Sequence, residues 1–104
     1  MTRARITVIK RAFHGDVVAE FFPSLVGKIG PCSVVADRQS FVVEGPFPKK
    51  PDGFCDWAWT DIHKVVALTM MGANPTPGTE FSCCSDGLRP VTFRIERLEN
   101  GVSD

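Results

Sequence analysis

The sequence predicts a small α+β fold: a mostly antiparallel sheet with helices on one face and elements in the order β-α-β-α-β-β. Three observations carry that reading. Arg5 to Lys10 and Pro90 to Leu98 alternate apolar with polar residues, the period of a half-buried strand. Trp57 to Met71 instead repeats its apolar residues at helical spacing and stops at Gly72. The segments Leu25 to Cys32 and Pro46 to Gly53 are rich in Gly and Pro, as connections are. A chain of 104 residues is read as a single domain over 1–104, with room for one core.

Each element has a local cause. In the first strand Ile6 and Val8 share one face and Thr7 takes the other. His14-Gly15-Asp16 then opens a short helix over Val17 to Phe22, with Asp16 as the expected N-cap and Pro23 as its limit. Gln39 to Glu44 reads as the second strand, ended by Gly45-Pro46. Asp56 is the expected cap of the long helix, whose stripe is Ala58, Ile62, Val65, Val66 and Thr69. Asn74 to Gly78 is read as a loop. Thr79 to Cys84 and Pro90 to Leu98 are the last two strands, joined by a turn at Asp86-Gly87.

Composition excludes several classes of function. Formal net charge is zero, so no overall attraction draws the chain to nucleic acid or to an anionic membrane. The basic stretches Arg3-Arg5, Lys10-Arg11 and Lys49-Lys50 read as solvated strand ends and loops. The first residues lack the apolar stretch of a secretory signal, and no apolar run is long enough to span a bilayer. A cytoplasmic protein is expected, with no nucleic-acid or membrane partner. In that compartment cysteines act as ligands or redox thiols more often than as permanent disulfides.

The four cysteines sit on structural punctuation, in Gly30-Pro31-Cys32, Gly53-Phe54-Cys55-Asp56 and Ser82-Cys83-Cys84-Ser85-Asp86-Gly87. Thiols on turns can converge on one centre. The first reading is therefore a metal site made from Cys32, Cys55, Cys83 and Cys84, or from three of them plus His14 or His63. Cys55, beside the start of the long helix, favours a thiolate or an anionic cluster there. Adjacent cysteines are unusual in structural zinc sites, which places an iron–sulfur cluster ahead of zinc. Successive strand residues point to opposite faces, so Cys83 and Cys84 reach one centre together only if the strand bends. Two alternatives stand beside this reading. Cys83 and Cys84 could do thiol redox chemistry, or all four could be small buried hydrophobes.

Trp57, Trp59, His63 and Arg89 are candidates for a supporting shell or an interaction surface. Trp57 and Trp59 are two apart on a helix and cannot both be fully buried in one core. His63, near the edge of the apolar stripe, is expected to be partly buried and structural. Arg89 could offset the charge of a thiolate site. No general base is convincingly placed, so independent catalysis is not expected, and no phosphate loop or nucleophile elbow occurs.

Gly30-Pro31-Cys32, Gly53-Phe54-Cys55-Asp56-Trp57-Ala58-Trp59 and Cys83-Cys84-Ser85-Asp86-Gly87-Leu88-Arg89-Pro90 resemble the motifs of a family of small prokaryotic four-cysteine domains without an established activity. The resemblance covers nearly the whole chain, although Asn74 to Thr79 is short relative to that family. It implies a shared role for Cys32, Cys55, Cys83 and Cys84 and is compatible with the metal reading. The functional expectation is a small protein holding a metal centre, with electron transfer or an accessory role beside a larger enzyme. The alternative is an interaction module or small subunit, docking on a protein partner or on itself through Trp57 or Trp59.

Overall fold

The computed structural model describes residues 2–72 and 78–98. Strands β1 (Arg3–Arg11), β2 (Ser40–Glu44), β3 (Thr79–Cys83) and β4 (Val91–Leu98) form one sheet in the order β2-β1-β4-β3. Every neighbouring pair is antiparallel. Two helices, α1 (Gly15–Phe21) and α2 (Asp56–Met71), and a 3₁₀ turn at Pro23–Leu25 complete the described elements. The expected α+β class and element order are found. β1 extends at both ends beyond the expected Arg5–Lys10, because its ladder with β4 continues from Arg3 to Arg11. Most of the loop expected over Asn74 to Gly78 lies outside the described residues.

The two long strands are central and the two short ones form the edges. Ala4, Ile6 and Val8 of β1 share one face with Val91, Phe93 and Ile95 of β4 and with Phe41 and Val43 of β2. α2 lies on that face and buries Ala58, Ile62, Val66, Thr69 and Met70 against it. Val65, expected in the same stripe, is only half-buried at its margin. Thr69 is polar yet fully buried. Its hydroxyl donates to the Val65 carbonyl 2.8 Å away, which removes the cost of an unpaired group. α1 packs on the 3₁₀ turn rather than along the strands, anchored by its one buried residue, Val18. α2 is thus the only described helix in contact with the sheet. The opposite face carries Thr7, Arg94 and Glu96 with no described helix over it.

Both helix starts differ from expectation. His14 is the N-cap residue of α1, and Asp16 lies inside the first turn. Cys55 is the N-cap residue of α2, with extended backbone angles, and Asp56 is the first helical residue. Neither aspartate makes a side-chain capping bond. Asp56 instead pairs with Lys50, whose ammonium also donates to the Phe54 carbonyl at 2.9 Å. An acidic residue one step inside a helix still gains from the dipole, so the sequence pattern does not separate the two positions. α2 ends as expected at Gly72, whose φ of 72° is the left-handed geometry of a helix terminator.

Among the described residues no helix is long and apolar enough to cross a membrane.

Candidate functional site

Cys55 opens α2, and Phe54 just before it anchors that end. Phe54 is 3% exposed and meets Phe41 edge-on at 5.0 Å, Trp59 edge-on at 5.9 Å and Phe93 at 5.2 Å between ring centroids. That aromatic cluster holds the first turn of α2 over the sheet. Cys84 follows the last residue of β3 and continues the ladder: its N–H donates to Val91 O at 3.1 Å, and its sulfur accepts from Val91 N at 3.3 Å. Cys32 lies in the long connection between α1 and β2.

Arg11 fixes that connection. The β1–β4 register shifts between Val8 and Lys10, so a bulge falls at Ile9. The extra residue flips Arg11 onto the face of Val91, its partner, where an unbroken alternation would have turned it away. From there Arg11 Nη1 donates to the Cys32 carbonyl at 2.7 Å and Nε donates to Asp37 Oδ1 at 2.8 Å. The hydrogen bond from Arg11 holds the Asp37 carboxyl below its ordinary range. Two points of that connection, Cys32 and Asp37, are thereby tied to β1.

These three anchors converge. Cys32, Cys55 and Cys84, from three distant stretches of chain, line one cavity of about 290 Å³ beside Val34, Trp57 and Ala58. All three thiols are partly buried and pack against the core. Cys83 does not line the cavity; it is exposed, opposite Thr92 on the sheet face turned away from α2. The chain does not bend enough to bring the adjacent pair together, as strand alternation demands.

Asp61, Ser85, Asp86 and Arg89 complete the lining. Asp61 accepts from both Ser85 N (2.7 Å) and Ser85 Oγ (2.9 Å), which pins the residue after Cys84 to α2. Asp61 lies five residues from Asp56, on a different side of the helix. The informative spacing is from Cys55: positions 55, 58 and 61 advance three at a time along one side of the helix. Val34, in a connection without periodicity, carried no comparable signal.

Asp86 organises the turn. Its Oδ1 accepts from Leu88 N at 3.0 Å and from Arg89 N at 2.9 Å, and Arg89 Nε lies 3.4 Å from Oδ2. The bond from the Arg89 backbone is the main reason that its carboxyl is held below the usual aspartate range. Because the folded form is the stronger acid, the turn's contribution is complete above about pH 3.9 and is lost as pH falls through the lowered value. Protection of the Leu88 and Arg89 amides, exchange taken relative to an unprotected amide at the same pH, is expected to fall only at such acidity. A fall already near neutrality would contradict this account.

Of the four supporting candidates, Trp57 and Arg89 line the cavity and Trp59 and His63 do not. Trp59 packs partly buried on Phe54, with the His63 ring 5.2 Å from its own. His63 is exposed rather than partly buried, since its position falls on the solvent side of the stripe led by Ile62 and Val66. His14 is also exposed. Trp57 is 82% exposed. Among the described residues, no three His, Cys, Asp or Glu side chains stand close enough together to hold one metal ion.

No family model, no curated protein and no solved structure matches this chain.

Proposed function

We propose that the cavity formed by Cys32, Cys55 and Cys84 holds an iron–sulfur cluster and that the protein serves in electron transfer or beside a larger enzyme. The observation that carries this reading is the convergence of three half-buried thiols, from three separate stretches, on one cavity of about 290 Å³. The preference for a cluster over zinc comes from the cysteine pattern, because adjacent cysteines are unusual in structural zinc sites.

When bound, such a cluster supplies one-electron chemistry. The protein's own contribution is distinct. Cys55 at the start of a 16-residue helix would set a bound cluster's negative charge against the positive end of the helix dipole. Arg11 fixes the Cys32 loop, Asp61 holds Ser85 next to Cys84, and Asp86 holds the turn that follows through Leu88 and Arg89. Val34, Trp57 and Ala58 supply an apolar wall beside the thiols, of which Ala58 is buried.

Anaerobic purification followed by iron, sulfide and zinc analysis tests the proposal. Brown protein with stoichiometric iron and sulfide is the expected result. Colourless protein with one zinc per chain would replace the cluster by zinc, and metal-free protein with reactive thiols would end the metal reading.

The exposure of Trp57, with Val34 57% exposed beside it, also favours the docking-module reading. A protein that co-purifies, is lost on Trp57→Ala and is kept on Cys84→Ser would support docking without a cluster. Trp59 is the poorer probe, because its substitution disturbs Phe54.

A further inference from the structure

We infer that a second cavity, at the far end of α2 from the thiols, binds an apolar monocarboxylate of the size of a medium-chain fatty acid. The cavity measures about 650 Å³, within the range of small-molecule sites, and lies where the last turn of α2 meets the chain leaving β2. Pro46, Phe47, Met70 and Met71 form its walls. Met70 is buried, whereas Phe47 and Met71 are 86% and 72% exposed, so an apolar floor opens through an apolar lip. α2 has 16 residues, which puts about 24 Å of helix between this cavity and Cys55. Two glycines make room for the groups that shape it. A Cβ on Gly45 would come within 2.9 Å of Met70 Cε, and one on Gly72 within 2.8 Å of Arg97 Nη1. Only with those Cβ atoms missing can the methyl group and the guanidinium sit where they do.

Arg97 decides the class of ligand. Among the described residues it is the one charged side chain in the lining, and no hydrogen bond or ion pair engages its guanidinium. A planar fork with unused donors matches a carboxylate through two parallel bonds. One cation calls for one negative charge, and no described carboxylate lines the cavity to compete for it. Pro46, Phe47, Met70 and Met71 offer the body of the ligand no hydrogen-bond donor, which selects a hydrocarbon tail over a sugar or a nucleotide. The two methionine side chains, unbranched and flexible, fit a tail of variable shape.

Titration of the full chain with decanoate, followed by calorimetry and by the nuclear magnetic resonance signals of methyl-labelled methionine, tests this. Saturable shifts at Met70 and Met71 are expected, with one decanoate bound per chain. Decanol, which keeps the tail and lacks the charge, should bind at least about tenfold more weakly. Acetate, which keeps the charge alone, should leave both methyl signals unmoved. Arg97→Gln should weaken decanoate at least about tenfold and leave decanol unchanged. Phe47→Ala, at an exposed position, should weaken both ligands alike. Circular dichroism confirms that each variant is folded. No saturable shift with decanoate below its micelle threshold would overturn the inference. So would decanol bound as tightly as decanoate, or decanoate binding indifferent to Arg97→Gln. Binding to neutral phosphatidylcholine vesicles in place of decanoate would overturn it too, in favour of a membrane contact. No readout involves iron, so the outcome is independent of the cluster proposal.

Discussion

Cys32→Ser, Cys55→Ser and Cys84→Ser are each expected to lower bound iron at least tenfold, while Cys83→Ser keeps the wild-type content. The magnitude follows from second-shell precedent: loss of a partner behind a metal ligand already costs roughly 10–100-fold in affinity, and loss of the ligand costs no less. The contrast follows from the fold. Cys83 and Cys84 are adjacent, but β3 turns one to solvent and the other to the cavity, where Val91 N–H meets its sulfur. Inductively coupled plasma analysis of the four anaerobically purified variants, with visible absorption as a second readout, gives the answer. Equal loss in all four would mean that the β3 end rearranges to use both thiols. Equal retention would return the cysteines to the role of small apolar residues.

The largest expected loss of stability comes from Phe54→Ala. Phe54 touches three other aromatic rings and is 3% exposed, so truncation removes both its transfer free energy and the packing around the void. Such changes cost about 3–5 kcal/mol, a large share of the 5–15 kcal/mol typical of a whole domain. Urea unfolding is expected to show a midpoint lower by about 2 M with little change in slope. Phe54→Leu, which keeps most of the volume, should lose less than half as much. A cost below about 1 kcal/mol for Phe54→Ala would show that the cluster of rings can collapse around the gap. The same residue links stability to the site, since it immediately precedes Cys55 and sets the angle at which α2 leaves the Pro-rich connection. Bound iron should therefore fall in Phe54→Ala even under conditions where the variant remains folded.

Local pattern accounts for most of the elements. Alternation along Ile6, Thr7 and Val8, and along Val91 to Ile95, is a two-residue period that only a sheet with one buried face satisfies. The stripe from Ala58 to Thr69 has a 3.6-residue period that only a helix satisfies, and Gly72 supplies its stop. The same alternation sets Cys83 and Cys84 on opposite faces unless the strand bends, yet the expected site counted both, and only Cys84 lines the cavity. Helix starts were less legible, because Asp16 and Asp56 help a helix from the first turn as well as from the cap. His63 was misplaced by the width of one stripe: burial at a helix margin depends on how the facing strands lie, which periodicity does not report.

The strands, the helices and the thiols at their ends could be read from the chain alone, because they follow from interactions within a few residues. Which thiols meet was decided only by the tertiary structure. The bulge at Ile9 turns Arg11 onto the cavity side and so brings Cys32 in, the aromatic cluster seats Cys55, and the β3–β4 ladder presents Cys84 while sending Cys83 to the opposite face. Each of these depends on contacts between residues far apart in the chain, where the gain comes from packing and pairing rather than from local preference.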